Sequence, residues 1–258
     1  MEYWAKRNLN AQRKLSELNV VQTEKQLAKY YLDAQKEIIG QFEITYNKVL
    51  SMISEGKQPT PADLYKLDSY WKGQNQLKEV LLKLGNMQAE LLSKQFTKQY
   101  LSIYESIAIP GVEAFSTVDA AAAQQIINHI WCADGKSWSQ RIWENTELLA
   151  QTLNDELVHC VVSGKKPTEL KNLLQKRFDV SYGRADALVR TEMAHLQTQA
   201  TKQRYEDYGI EEVEIWADKD ERRCEVCGQL HQKRFPVGAN VPIPAHPRCR
   251  CCLVPVVD

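Results

Sequence analysis

The residues that most constrain how this chain folds are a cluster of potential metal ligands within its last 35 positions. A Cys-x-x-Cys pair is followed, about twenty residues later, by His-x-x-Cys-x-Cys-Cys. Thiolates and imidazoles are ligands that Zn²⁺ prefers, and the Cys-x-x-Cys spacing lets two sulfurs reach one ion. The members of this cluster are Cys224, Cys227, His246, Cys249, Cys251 and Cys252.

The spacing predicts a tetrahedral zinc site made by Cys224, Cys227, His246 and Cys249, with Cys251 as the replacement for His246. Four protein ligands leave no open position for water, so a site of this kind is structural rather than catalytic. The alternative that these residues form disulfides or remain free thiols stays open. The sequence alone does not decide which four of the six residues bind.

The remaining thiols and the neighbouring histidine are weaker candidates. Cys252 should point to the opposite face of a strand from Cys251. His231 is predicted to lie at the surface or beside a ligand. Cys132 and Cys160 are separate from the cluster and are predicted to be small buried residues.

Composition places the chain in a reducing compartment without a membrane. Five of the seven cysteines follow residue 223, and such clustering favours a metal over disulfides. The N-terminus lacks the apolar core of a signal peptide, and no run approaches the roughly 20 apolar residues of a membrane span. The 33 basic and 33 acidic residues cancel, so any contact with nucleic acid must be local. We expect synthesis in a cytoplasm, no membrane partner and no small-molecule substrate.

Hydrophobic periodicity predicts a mainly α fold that begins with a long helical hairpin over residues 1–107, which we term the N-terminal arm. One helix carries apolar residues at spacings of three and four from Leu27 to Ile53. Glycine and two prolines then interrupt it, and Thr60 and Asp63 predict a capping box at the start of a second long helix. Two such helices joined by a short turn should pack antiparallel and bind a partner.

Residues 108–258 are predicted to form a second, mainly helical domain. We expect helices over residues 118–130 and from about residue 139 to Gly164, then a short helix from Pro167. Ser181 is predicted to cap a separate long helix that ends at Gly209. Within residues 210–258, alternation predicts a small β element made of strands near residues 213–216, 234–235 and 252–256. The fold class is therefore α+β, with a zinc module at the C-terminus.

The segment Arg190-Thr191-Glu192 is a second constellation. Glu192 continues an apolar row of its helix and should point inward, so its carboxylate needs a partner. Arg190 lies on another side of the helix. We expect the partner in the zinc module, where the donor is the Trp216 indole, Arg222 or Arg223, or backbone N–H groups. The alternative is that Glu192 and Asp218, together with Asp220, bind a divalent cation in a nuclease or other enzyme. If they bind no cation, we expect structural anchors at four positions: Arg190, Glu192, Trp216 and Asp218.

Basic residues flank the proposed ligands and could contact DNA phosphates. The alternative is that they pair with acidic residues or are solvated. The candidates are Arg222, Arg223, Lys233, Arg234, Arg248 and Arg250. Glu212-Val-Glu214 is superficially similar to the Glu-x-Glu of ADP-ribosyltransferases. No companion Ser-Thr-Ser strand is present, so we expect an exposed strand face.

The ordered combination of motifs resembles the phage Mu F-like family of minor head proteins over roughly residues 119–254. The first carrying residues are Gly135-Lys-Ser-Trp-Ser-Gln-Arg141-Ile-Trp143-Glu-Asn145 and Gly183-Arg-Ala185-Asp-Ala-Leu-Val-Arg190-Thr-Glu192. The later ones are Trp216-Ala-Asp218, Arg223-Cys224-Glu-Val-Cys227, Phe235 and Pro244-Ala-His246-Pro-Arg-Cys249-Arg-Cys251.

This resemblance implies a structural protein of a tailed phage, located inside the procapsid at or near the portal. It implies a role in head assembly and in packaging or delivery of DNA, with the portal or major capsid protein as partner. Some relatives carry an extra C-terminal toxin or enzyme domain, which we do not expect here because the chain ends six residues after Cys252. A third hypothesis is a cellular zinc-binding adaptor unrelated to phage.

Overall fold

The computed structural model describes residues 3–54, 59–109, 120–217 and 223–256, and all structural statements concern these residues. The described part of the chain is mainly helical, with a small antiparallel sheet near the C-terminus. None of its helices is long and apolar enough to cross a membrane. The helices are α1 (Tyr3–Ser54), α2 (Pro61–Tyr65), α3 (Asp68–Ser106), α4 (Ala120–Asn128), α5 (Trp138–Val162), α6 (Pro167–Asp207) and α7 (Glu225–Leu230), and the strands are β1 (Glu212–Trp216), β2 (Arg234–Pro236) and β3 (Cys252–Pro255).

The chain divides into two compact units. The first comprises Met1–Glu24, Leu91–Trp138 and Asp186–Asp258, and the second comprises Lys25–Glu90 and Ser139–Ala185. Both units include parts of α1, α3 and α6. The N-terminal arm, with a domain boundary near residue 107, remains a prediction.

Within each unit, α1 and α3 run antiparallel, as the periodicity predicts. In the first unit Asn19 Nδ2 donates to Gln99 Oε1 at 2.8 Å. In the second unit the Tyr31 hydroxyl donates to Gln88 Oε1 at 3.2 Å. The partner number falls as the first number rises inside each unit, since Asn8 Nδ2 donates to the Ala108 carbonyl in the first unit. The Thr45 hydroxyl donates to the Ser69 carbonyl in the second unit.

The core of the second unit packs the hairpin helices against α5 and α6. Its members include Phe42, Leu84, Leu153 and Phe178, all of which are buried. The Tyr46 hydroxyl lies in this core and donates to the Cys160 carbonyl at 3.1 Å. The apolar stripe of the hairpin is therefore covered, in this unit, by other helices of the same chain.

The second hairpin helix is divided, which corrects the prediction of a single helix from Thr60. The capping box is confirmed, because the Thr60 hydroxyl accepts from Asp63 N–H while the Asp63 carboxylate accepts from Thr60 N–H. However, α2 ends at Tyr65 and α3 begins at Asp68. The indole of Trp71 donates to the Tyr65 carbonyl at 2.8 Å, so a side chain replaces the helical hydrogen bond at this break.

The predicted helix boundary at Ser181 is wrong, because α6 runs without interruption from Pro167 to Asp207. Ser181 is buried inside this helix. Its hydroxyl is hydrogen-bonded to the Tyr31 hydroxyl at 3.3 Å, and its carbonyl accepts from Asn145 Nδ2 at 2.9 Å. Serine is favourable at helix N-caps, but Ser181 makes tertiary hydrogen bonds from the middle of the helix.

The predicted strands are confirmed as an antiparallel sheet of order β2-β1-β3 in the described residues. Its two faces differ. On one face Val213, Ile215 and Leu253 pack with the buried cysteines of the cluster. On the other face Cys252 and Val254 pack against the first turns of α1. The sheet therefore separates the cluster from α1.

Candidate metal centre

The Cys-x-x-Cys pair forms the first turn of α7. Cys224 is the N-cap, and its sulfur accepts from the Cys227 backbone N–H at 3.3 Å. This hydrogen bond holds both sulfurs on the same side of the turn. Gly228, which follows the second cysteine, lies within the helix and is not at positive φ. Glycine is thus not required there by backbone conformation.

The second ligand-bearing segment, residues 246–251, brings its side chains to Cys227. Cys227 Sγ lies 3.1 Å from His246 Nε2 and 3.8 Å from Cys249 Sγ. His246 Nδ1 donates to the Pro247 carbonyl at 2.8 Å, which leaves Nε2 of the neutral imidazole as the ligand atom. Two thiolates bound tetrahedrally to zinc at about 2.3 Å are about 3.8 Å apart, so the sulfur spacing fits this geometry.

The candidate ligands form two overlapping groups, whose atoms lie within 4.8 Å of one another. The first contains Cys224, Cys227 and His246, and the second contains Cys227, Cys249 and Cys251. Cys227 is common to both. The buried second group can hold a metal ion, and the set predicted from sequence combines the first group with Cys249.

The pKa values of the buried cysteine thiols are shifted in different directions. The hydrogen bond from Cys251 lowers the pKa of Cys249, and the same bond, together with burial, raises the pKa of Cys251. Burial also raises the pKa of Cys227. Metal ligation needs the deprotonated sulfur, so binding would release protons at this cluster.

Cys252 and His231 are the weaker ligand candidates, and Cys132 and Cys160 are separate from the cluster. Cys252 faces α1 on the far side of β3, where its sulfur accepts from Gln197 Nε2 at 3.1 Å. His231 is the C-cap of α7, and its ring meets that of Trp216 edge-on at 4.9 Å. Cys160 is buried, as expected, whereas Cys132 is only half-buried.

Glu192 is buried, as predicted, and one partner of its carboxylate lies outside the zinc module. Glu192 is 5% exposed and accepts a hydrogen bond from the Trp131 indole at 2.9 Å. The indole of Trp216 donates instead to Glu214 at 2.6 Å. Trp131 also stacks on His195 with ring centroids 4.2 Å apart, and burial lowers the pKa of His195 to about 4. This partner was not predicted, because Trp131 lies 61 positions from Glu192 in the sequence.

Glu192→Ala is expected to lower the free energy of unfolding by about 1–3 kcal/mol, because it removes the acceptor of the Trp131 indole. Urea unfolding measures this change. Trp131→Phe removes the donor instead, so the double variant should lose less than the sum of the two single losses. An unchanged midpoint for Glu192→Ala would contradict the assignment.

A group of charged residues on α6 connects α1 with the ligand-bearing segment. Arg190 lies 2.5 Å from Glu24 and 3.6 Å from Asp186. Asp186 also forms an ion pair with Arg248. Burial, and then the hydrogen bond with Asp186, raise the pKa of Glu24 to about 7. Arg190, predicted as an anchor, thus acts through Glu24 and Asp186 rather than through Glu192.

The raised pKa of Glu24 predicts a pH dependence of stability. Between about pH 4.5 and 7 the folded chain holds a proton that the unfolded chain has released, so the free energy of unfolding should fall as pH rises through this window. Glu24→Gln should remove this contribution, as measured by urea unfolding at pH 5 and pH 8. Glu17→Gln is the matched control, since the Glu17 side chain is 61% exposed. Parallel pH profiles for wild type and Glu24→Gln would overturn the prediction.

Of the basic residues predicted to touch DNA, two are paired with carboxylates. Arg234 lies 3.5 Å from Glu214, and Arg248 binds Asp186. Arg223 and Lys233 are exposed, and Arg250 is half-buried. Arg222 lies outside the described residues, as do the predicted anchor Asp218 and its neighbour Asp220.

The Glu-x-Glu of β1 was expected to form an exposed strand face, but the Glu214 side chain is only 16% exposed. Glu212 is exposed, and Val213 between the two glutamates is buried. The Glu214 carboxylate is held by the Trp216 indole on one oxygen and by Arg234 on the other. Its contacts are those of a structural residue.

Comparison with known protein families confirms the resemblance seen in the sequence. The family model described as Phage Mu protein F like protein matches residues 151–254. This range includes the last 12 of the 25 residues of α5, all of α6, strands β1 and β2, most of β3 and the whole metal-ligand cluster. The match supports a phage capsid-related role for the chain.

A curated relative is NAD(+)–arginine ADP-ribosyltransferase EFV of Enterococcus faecalis, which is 27% identical over 165 residues. The alignment covers 54% of this chain and 34% of the relative, so the chain spans about a third of the length of this curated relative. No solved structure matches the chain.

Proposed function

We propose that this chain is a non-enzymatic minor head protein of a tailed phage or prophage, located in the capsid interior near the portal. The observation that carries the proposal is the position of the family match. It covers the ligand cluster and the part of α6 that contacts it, where the Thr191 hydroxyl accepts from the Arg248 backbone N–H. The protein would be made in the host cytoplasm and then incorporated into the virion.

The metal in this proposal is one structural zinc ion. Cys224, Cys227 and Cys249 would hold it, with His246 or Cys251 as the fourth ligand. The ion would cross-link α7 to residues 246–251, two segments with little regular structure between them. In small modules of this type, metal binding supplies folding free energy directly. The donor set of thiolates with one imidazole suits zinc better than magnesium or calcium, which prefer oxygen.

Native mass spectrometry before and after chelation tests whether the chain binds zinc. We expect one zinc ion per chain, lost together with part of the folded structure when a chelator removes it. A stable, metal-free wild-type protein would refute this part of the proposal and leave the head role to be judged separately.

The hairpin is the proposed contact with the portal or major capsid protein. Its buried stripe is used within the chain, so a partner must bind its exposed side chains. These include Trp71 and Leu82, which are 55% and 57% exposed. Electron microscopy of the protein mixed with portal or capsid subunits should show a complex. Trp71→Ala and Leu82→Ala should weaken that complex without unfolding the protein, whereas no complex with either subunit would contradict the contact.

DNA contact, if it occurs at the ligand-bearing module, should depend on Arg223 and Lys233. Each phosphate contact contributes about one unit to the slope of log affinity against log salt. Alanine at both positions should therefore reduce that slope in a double-stranded DNA binding titration. Arg234→Ala is the control, because its side chain is paired with Glu214. Identical slopes for all three proteins would remove DNA from the proposal.

Two enzyme functions are the competing candidates. The name of the curated relative suggests ADP-ribosyl transfer, for which the Glu212-Val-Glu214 segment is the candidate in this sequence. The sequence also allows a nuclease using Glu192 and Asp218. The engaged carboxylates of Glu214 and Glu192 support structural roles for both. Incubation with NAD⁺ and an arginine analogue, compared with Glu214→Gln, tests the first. Plasmid cleavage with Mg²⁺ or Mn²⁺, compared with Glu192→Ala, tests the second, and activity lost in either variant would overturn the non-enzymatic proposal.

A further inference from the structure

Arg248 lies between two candidate ligands in an unusual backbone conformation. Its φ is +61°, in the left-handed region that non-glycine residues seldom adopt. His246 precedes it by two residues and Cys249 follows it directly. A conformation of this kind persists only when surrounding contacts hold it.

Two contacts with α6 hold Arg248. Its backbone N–H donates to the Thr191 hydroxyl at 3.1 Å, and its guanidinium binds the Asp186 carboxylate. The Thr191 hydroxyl donates its own proton to the Ala187 carbonyl at 2.6 Å, so its oxygen is oriented as an acceptor toward Arg248. Asp186 is only 16% exposed and lies close to Arg190 as well, which fixes its position.

We propose that Thr191 and Asp186 are positioning residues for the metal centre, which α6 thereby helps to assemble. This positioning role rests on the zinc site proposed above. Because Arg248 is one peptide from Cys249, its left-handed turn determines how the Cys249 sulfur approaches Cys227. The same turn determines where the His246 ring lies. Releasing Arg248 would let both ligands move away, although neither Thr191 nor Asp186 touches the metal.

The direct test measures metal affinity with Co²⁺ as a spectroscopic probe and Zn²⁺ in competition with a chelator. Thr191→Val keeps the size of the side chain and removes the acceptor, and Asp186→Asn removes the charge. Each should weaken Zn²⁺ binding about 10- to 100-fold, the usual effect of losing a residue that orients a ligand. The Co²⁺ absorption bands should also change, since they report the geometry and number of thiolates.

A pair of substitutions at Arg248 separates the backbone from the side chain. Arg248→Gly and Arg248→Ala both remove the guanidinium, but only glycine adopts positive φ without strain. Arg248→Ala should therefore bind Zn²⁺ more weakly than Arg248→Gly by about tenfold or more. Equal affinities would show that the turn does not matter and would overturn the proposal.

Two substitutions on α6 are the controls. Thr191→Ser keeps the hydroxyl and should restore both affinity and the Co²⁺ spectrum. Thr198→Val removes a hydroxyl that makes the same helical bond, to the Ala194 carbonyl at 3.0 Å, and should leave metal binding unchanged. If wild type binds zinc and every variant stays within twofold of it, the positioning role is wrong. If wild type itself binds no metal, the proposed zinc site is wrong instead.

Discussion

Gly85→Ala is expected to lower the free energy of unfolding by about 1 kcal/mol, because a methyl group there must displace the partly exposed Trp143 indole. A Cβ atom at position 85 would lie 2.4 Å from Trp143 Cζ3, and two further ring atoms lie at 2.8 and 3.0 Å. The indole must move, and it then loses its packing on α3. This loss opposes the stabilisation of about 1 kcal/mol that alanine normally brings to a helix.

Gly40→Ala is the matched control for this effect. Gly40 lies in α1, and a Cβ atom there would meet nothing within 4 Å. It should raise the free energy of unfolding by about 0.5–1 kcal/mol, so the two substitutions are expected to have opposite signs. Urea unfolding of both variants measures the difference. In a Trp143→Leu background the cost of Gly85→Ala should shrink, and equal stabilisation at both glycines would contradict the close contact.

Cys227→Ser is expected to abolish stoichiometric zinc binding. Cys227 belongs to both candidate ligand groups, so each group keeps only two ligands without it. The loss of metal affinity should exceed the roughly 10- to 100-fold loss that follows removal of a residue supporting a ligand. Cys252→Ser is the matched control, because Cys252 faces α1 and should leave the zinc content unchanged.

Native mass spectrometry measures the zinc content of both variants, and their melting temperatures are compared with that of the wild type. One zinc ion per chain in Cys227→Ser would contradict the site. His246→Ala and Cys251→Ser then identify the fourth ligand, since only the variant that lacks it should lose the ion. This comparison resolves the choice that the two overlapping groups leave open.

Features that depend on near neighbours in the chain were predictable. The capping box of Thr60 and Asp63 requires only four adjacent residues, and it is confirmed. The Cys-x-x-Cys turn is equally local, because one turn of α7 brings Cys224 to the Cys227 amide. The alternation of β1 follows from the period of an extended strand.

Features that depend on remote partners were not predictable. Ser181 has the chemistry of a helix cap, but its contacts with Tyr31 and Asn145 place it inside α6. Glu192 was correctly oriented by helical periodicity, yet its indole donor belongs to Trp131, which lies 61 positions away. Such choices depend on which elements meet, and a single sequence does not reveal this.

The sequence by itself determined the inventory of the C-terminal cluster, because cysteines and a histidine at these spacings are the residue types that Zn²⁺ prefers as ligands. Only the tertiary structure decided that Cys227 lies at its centre and that Cys252 faces away from it. It also decided that Thr191 and Asp186 hold the turn at Arg248. Ligand type is a property of individual side chains, whereas ligand geometry depends on contacts between segments far apart in the chain.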